Sequence, residues 1–364
     1  MSRVNTLSIS GYKSIRELKN FELRGLNVLI GANGAGKSNF IGLFKLLNKM
    51  YEQEFQVYQQ VQGGPDALLH FGRGTTTKIH AEFYFANNGY KFDLIPTADN
   101  RLIFEHETVW YAGRMYPPGE RALGLAHSES KLKEAQDNIS PYVRPAVKSW
   151  RVYHFHDTSE DAPVKILHAS NDNLSLHSDA RNLAAYLRML RDQHKAEYER
   201  IVSTVRLVLP FFDDFIHREG NPEYLQLEWT QKGHPDTPLK AHMLSDGSLR
   251  FICLTTLLMQ PITLLPDTIL IDEPELGLHP YAITVLADMF KQVAGEGARL
   301  EKQLIVSTQS VELVNELEPG DVIVVDQDAG ASTFRRFEET ELKDWLDEYG
   351  LGELWKRNIL GGRP

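Results

Sequence analysis

Eight consecutive residues, Gly31-Ala32-Asn33-Gly34-Ala35-Gly36-Lys37-Ser38, have the spacing Gly-x4-Gly-Lys-Ser of a loop built to hold phosphate. Glycines let successive backbone N–H groups converge on phosphate oxygens. Lys37 brings a point charge to the β/γ positions, and the Ser38 hydroxyl offers one ligand to Mg²⁺. The apolar run Leu26–Ile30 before the loop and the helix-like Asn39–Met50 after it supply the strand and helix such a loop requires. Asn33, Gly34, Ala35, Gly36, Lys37, Ser38 and Asn39 are thus expected to contact a nucleoside triphosphate.

A second acid-bearing element complements the first. Thr268-Ile269-Leu270-Ile271-Asp272-Glu273 reads as an apolar strand ending in two carboxylates, in which Asp272 serves Mg²⁺ and Glu273 orients the attacking water. The carboxyl edge of a doubly wound sheet gathers such strand ends, so these acids are expected to meet Lys37 and Ser38 across more than 200 residues of sequence. His154-Phe155-His156-Asp157 puts two imidazoles on one strand face beside an acid, donors that suit a divalent metal. No third ligand stands at useful spacing, and a packed or substrate-facing strand is the expected reading there.

The elements around these residues suggest how they are positioned. At 364 residues and ordinary apolar content, one large or two closely joined α/β units are expected. Val4–Ser10 and Leu23–Ile30 read as two strands of the sheet that leads into the phosphate loop. Lys78–Phe85 alternates Ile79, Ala81, Phe83 and Phe85 onto one face, turns at Asn87-Asn88-Gly89 and returns through Tyr90–Ile95, an antiparallel wing. From about Pro117 to Lys240 the sequence becomes helix-forming and charged, with a long helix over Ser178–Val208 whose Leu183, Tyr186, Leu187 and Leu190 form a core stripe. The α/β pattern resumes at Ala241, and Thr340–Pro364 reads as an amphipathic helix stopped near Gly350. No apolar run approaches the length of about 18 residues a spanning helix needs. The start lacks a signal-peptide pattern, and Cys253 is the one cysteine, so a cytoplasmic protein with no membrane partner is expected. A formal charge of −10 argues against a uniformly basic surface.

Leu244-Ser245-Asp246-Gly247-Ser248, just before the helix-like Leu249–Met259, resembles the Leu-Ser-Gly-Gly-Gln signature of ABC-type ATPases in the form used by the RecF, SMC and OLD branch. Pro274-Glu275-Leu276-Gly277-Leu278-His279-Pro280 is similar to the D-loop that follows the acidic strand, with His279 where transporters carry Asp. Leu304–Gln309 resembles the switch strand, with Gln309 in place of His. Gly11-Tyr12-Lys13-Ser14-Ile15 is similar to the segment that lies beside nucleotide in SMC and RecF heads, which implicates Lys13. The Q-loop has no assigned residue: alignment puts Arg73 near the expected Gln, and Gln59, Gln60 and Gln62 lie earlier.

The resemblance implies an α/β P-loop NTPase, an ABC-type RecF/SMC-like head with an antiparallel β wing and an inserted helical lobe. The ending Leu351-Gly352-Glu353-Leu354-Trp355 with Leu360-Gly361-Gly362-Arg363-Pro364 also looks like that of the stand-alone bacterial AAA-family predicted ATPases that lack a nuclease domain. The divisions implied by the resemblance are an ATPase lobe over 1–115, the helical lobe over 116–240, a second ATPase lobe over 241–330 and a tail over 331–364. The resemblance further implies ATP and Mg²⁺, with Glu273, Lys37 and Gln309 as catalytic residues and Ser38 and Asp272 on the metal. Two copies would sandwich ATP, with Ser245, Gly247 and His279 completing the partner's site. Because Gln cannot accept a proton at neutral pH, the general-base role falls to Glu273 and turnover is expected to be slow. Three uses follow: an ATPase coupled to a nuclease or toxin on another polypeptide, as in phage defence; a RecF-like DNA clamp in repair; or a nucleotide sensor with little turnover. A DNA role implies a basic stripe, with Arg114, Arg121, Lys131, Lys133, Arg144 and Lys148 as candidates.

Overall fold

The computed structural model describes residues 3–113, 117–220, 222–295, 297–298, 300, 302–346 and 348–362. The chain opens with strands β1 (Thr6–Tyr12), β2 (Ile15–Glu22) and β3 (Leu26–Ile30), then helices α1 (Lys37–Tyr51), α2 (Phe55–Val61) and α3 (Pro65–Leu68). Strands β4 (Ile79–Phe85), β5 (Asn88–Pro96), β6 (Leu102–Tyr111) and β7 (Gly119–His127) follow. The middle holds α4 (Ser140–Ser149), β8 (Arg151–Tyr153), β9 (His168–Ala169), α5 (Leu183–Gln193), α6 (Lys195–Val208), β10 (Phe212–Phe215), β11 (Tyr224–Leu225), β12 (Glu228–Gln231) and β13 (His234–Lys240). The chain continues through α7 (Asp246–Met259), β14 (Thr268–Asp272), α8 (Pro280–Ala294), β15 (Gln303–Ser307) and α9 (Val311–Asn315). It closes with β16 (Val322–Asp328), β17 (Ala331–Arg336), α10 (Glu339–Leu346) and α11 (Leu351–Lys356).

One six-stranded sheet, in the order β17-β16-β3-β15-β14-β8, carries the chemistry. Its four pairings from β16 to β8 are parallel, and only β17 runs antiparallel. Parallel strands covered on both faces read as continuous apolar runs, which is why Leu26–Ile30 and Ile269–Ile271 are recognisable in the sequence. Val28, Ile269, Ile271, Leu304 and Val306 face a core shared with α5 to α8, whereas Leu29, Leu270 and Ile305 face a second core built on α1 and the wing.

The wing is a second six-stranded sheet, β2-β1-β4-β5-β6-β7, antiparallel throughout. The alternation predicted for β4 holds, and the turn after it falls at Ala86-Asn87, because Phe85 pairs with Asn88. One expectation is corrected here: the first strand does not join β3. It lies in the wing between β2 and β4, because its apolar side chains Leu7 and Ile9 pack into the wing core. The segment 116–240 is likewise not wholly helical: β7 completes the wing, β8 pairs with β14, and β10, β12 and β13 form a small sheet. The long helix is two helices, broken at His194 (φ −137°, ψ 54°).

No helix among the described residues is long and apolar enough to cross a membrane. Cys253 is buried in α7, and burial pushes its thiol up to about 12. Alkylation of Cys253 in the native protein is expected to run at least about 100-fold slower than in denaturant, since the thiolate is the nucleophile. A labelling time course read by mass spectrometry checks it.

Candidate functional site

The buried strand β3 delivers the phosphate loop to the carboxyl edge of the parallel sheet. Two of its glycines are required by close approach. A Cβ on Gly31 (φ 152°) would stand 2.2 Å from Val325 O, and one on Gly36 (φ 119°) would stand 2.0 Å from Ser332 Oγ. Ser332 Oγ donates to Ala35 O (2.5 Å) and is hydrogen-bonded to Ser14 Oγ (2.7 Å), which also accepts from Asn39 Nδ2 (2.7 Å). Two serines 318 positions apart thus brace the loop from beneath.

Lys37 opens α1 and curls back beneath the loop, its Nζ donating to Gly31 O (2.5 Å) and Ala32 O (3.1 Å). Burial pulls its ammonium below the ordinary value, while Glu273, Asp272 and Glu275, in that order, pull the other way. The phosphate loop and the acids therefore share one electrostatic neighbourhood.

Asp272 ends β14 in register with Ser307, whose Oγ donates to Asp272 Oδ1. Glu273 has left the strand with a left-handed backbone (φ 43°), its N–H donating to Ser307 O at 3.0 Å. Gln309 Nε2 donates to Glu273 Oε1. Ala32, Asn33, Gly34, Gly36, Lys37, Ser38, Asn39, Glu273 and Gln309 line one cavity of about 140 Å³. The exposed Ser38 hydroxyl and the Asp272 carboxylate are the groups suited to Mg²⁺ here.

Sequence reasoning placed Glu275 in the D-loop without giving it a task. It is buried, and one carboxylate oxygen accepts from Thr308 Oγ1 (2.5 Å) and Gln309 N (2.9 Å), fixing the backbone that carries Gln309. Burial raises its pKa against those hydrogen bonds.

The remaining candidates lie outside this cavity. Ser245 is exposed and caps α7, its Oγ accepting from Ser248 N at 3.2 Å. Gly247 packs on the D-loop so tightly that a Cβ would stand 2.1 Å from Gly277 O. His279 is exposed and caps α8, its Nδ1 accepting from Tyr281 N at 3.3 Å. Lys13 (φ 47°) donates from Nζ to Gln62 Oε1 at 3.3 Å, and burial lowers its pKa, helped by nearby Lys45.

Arg73 is tied to Asp66 by a bond of 2.7 Å, and Gln59 is buried against Leu102, so neither stands at the sheet edge beside β14. That place belongs to β8 and the His154–His156 stretch after it. The two imidazoles do not chelate: their rings are 6.2 Å apart, and His156 Nε2 is committed to Asp272 O. The one three-residue group with metal-ligating geometry among the described residues is Asp93, Glu105 and His106 on the wing, where Lys78 already offsets both carboxylates at 3.5 and 3.7 Å. Of the basic candidates, Lys133 pairs with Glu52 and Arg144 donates to three backbone carbonyls, while Arg121, Lys131 and Lys148 are exposed. Arg114 lies outside the described residues.

A phosphate loop, paired acids on the neighbouring-but-one strand and a capped signature helix define a P-loop ATPase head of the ABC and SMC type. The chain belongs to the family described as "AAA domain, putative AbiEii toxin, Type IV TA system", which it matches over residues 26–315. In fold it is similar to an SMC head bound to the C-winged helix domain of ScpA, with a TM-score of 0.62, 15% identity and coverage of 93% of this chain and 99% of that one. It is also similar to an SMC head with an extended coiled coil bound to the C-terminal domain of ScpA from Pyrococcus furiosus (TM-score 0.52, 13% identity, 95% and 98% covered). Over 170 residues, 45% of the chain, it is 26% identical to Urease accessory protein 2 of Cryptococcus neoformans, and that match spans 13% of the relative's length.

Proposed function

We propose that the chain hydrolyses ATP, that two copies close on two ATP·Mg²⁺, and that closure and reopening operate an effector on another polypeptide. Lys37 and the loop N–H groups hold the phosphates, Ser38 and Asp272 serve Mg²⁺, and Glu273 polarises water. One observation carries the dimer: the loop, Glu273 and Gln309 line a single cavity, whereas Ser245, Gly247 and His279 lie outside it, with Ser245 and His279 exposed at helix starts. A second copy brings those groups to the open side of the cavity, converting nucleotide binding into association. The family's toxin description and the partner-bound SMC heads support a head that passes its state to a separate protein, as a defence module would use it. The Gln309–Glu273 hydrogen bond favours slow turnover, because it occupies one oxygen of the carboxylate that must take up the water proton.

Complementation tests the sandwich. Ser245→Arg keeps its own phosphate loop but obstructs the partner's γ-phosphate, and Lys37→Ala has the reverse defect. Each alone is expected to be inactive, and an equal mixture to recover at most about one quarter of wild-type turnover, since half the dimers carry one intact site of two. A fully active Ser245→Arg protein would leave Leu244–Ser248 as a helix cap and nothing more.

A further inference from the structure

The stretch after β8 is fastened at both ends. His156 Nε2 donates to the main-chain oxygen of Asp272 at 2.6 Å, next to Glu273. The carbonyls of Phe155 and His156 accept from the buried Arg250 guanidinium, Nε at 3.0 Å and Nη2 at 3.4 Å. Arg250 belongs to α7, the helix that Ser245 caps. A Cβ on Gly277 would stand 3.2 Å from Arg250 Nη1, and Gly247 abuts Gly277 O, so the guanidinium sits where signature and D-loop meet. Further along, Lys165 Nζ donates to Thr158 O (2.5 Å) and lies 3.9 Å from Asp246, and the His242 ring meets Glu160 O at 3.2 Å. Residues 154–165 therefore join the signature loop and helix to the strand that carries the acids.

In a sandwich dimer these two ends serve different nucleotides: the signature of one copy faces the partner's ATP, while Asp272 and Glu273 face its own. We propose that Arg250 and His156 are positioning residues that couple the two nucleotide sites of the dimer. Phosphate taken up at Ser245 shifts the N-terminus of α7, and a helix of 14 residues moves as a unit. The guanidinium moves the carbonyls of 155 and 156, and the imidazole moves the Asp272 carbonyl and with it the Glu273 carboxylate. Two hydrogen bonds from one planar group make the joint stiff, and a single ring N–H on a carbonyl makes it directional. This inference rests on the sandwich reading above.

The test is the ATP dependence of turnover in the full chain, with dimer formation followed by light scattering. Wild type is expected to show a Hill coefficient above about 1.5, falling to about 1 in Arg250→Met and in His156→Phe, with ATP affinity in calorimetry changed by less than about threefold. His156→Gln, whose amide keeps an N–H donor, should retain the sigmoid. Combining Arg250→Met with His156→Phe should add nothing, because both break one connection. An ATP-induced dimer whose Hill coefficient is 1 in wild type, or is unchanged in His156→Phe, overturns the coupling. If Arg250→Met does not fold, His156→Phe and His156→Gln decide. Absence of an ATP-induced dimer in wild type removes the sandwich itself, and the coupling with it.

Discussion

Replacing Lys37 with alanine is expected to weaken ATP binding by at least about 100-fold, or about 2.7 kcal/mol, and to abolish turnover. Two effects add. The first is loss of the ammonium from the β/γ-phosphates, a charge-assisted contact in a partly desolvated loop. The second is electrostatic: Glu273, Asp272 and Glu275 all act on Lys37, and without its charge they confront the phosphates unbalanced. The fold should survive, because among the described residues Lys37 Nζ hydrogen-bonds only the carbonyls of Gly31 and Ala32, at a loop otherwise braced by Ser14 and Ser332. Calorimetry on a variant with unchanged circular dichroism checks this. Wild-type affinity there would remove nucleotide from loop 31–38.

What the sequence revealed and what it hid divide along physical lines. β3, β14 and β15 were legible because both of their faces are buried, so their strand signal needs no partner to be recognised. β2 was not, because Ile15–Glu22 buries little beyond Ile15 and shows no alternation. β13 was hidden in the same way: it is almost wholly exposed and carries Pro235 and Pro238, residues that ordinarily argue against a strand. The break between α5 and α6 falls at His194 with no Gly or Pro to mark it, so one helical stripe looked continuous.

The site shows a similar contrast. Phosphate binding demands consecutive residues, and the loop 31–38 announces itself. The serine brace demands only that Ser14 and Ser332 meet in space, and no local pattern encodes that meeting. His156 was noticed for its chemistry but its partner was hidden, because only the strand order, with β8 beside β14, puts its ring on the Asp272 carbonyl.

Glu273→Gln is expected to separate binding from hydrolysis: turnover should fall by about 10² to 10⁴-fold while ATP and Mg²⁺ still bind. The geometry explains why the substitution is mild everywhere except in chemistry. The side chain of residue 273 accepts from Gln309 Nε2, and a glutamine carbonyl oxygen accepts the same hydrogen bond. Backbone placement is also preserved, since it depends on the Glu273 N–H to Ser307 O and not on the carboxylate. Asp272, held by Ser307, is untouched, and so is the place proposed for Mg²⁺. What disappears is the negative charge that, on the proposed reading, polarises water and takes its proton, a role Gln309 cannot assume because an amide does not accept a proton at neutral pH. With hydrolysis blocked and binding intact, the closed state has no exit except nucleotide dissociation, so light scattering with ATP should show a persistent dimer. A variant that hydrolyses at the wild-type rate would move the base away from Glu273, and Glu275, buried 2 residues on with its pKa raised by burial, would be the first acid to replace in turn.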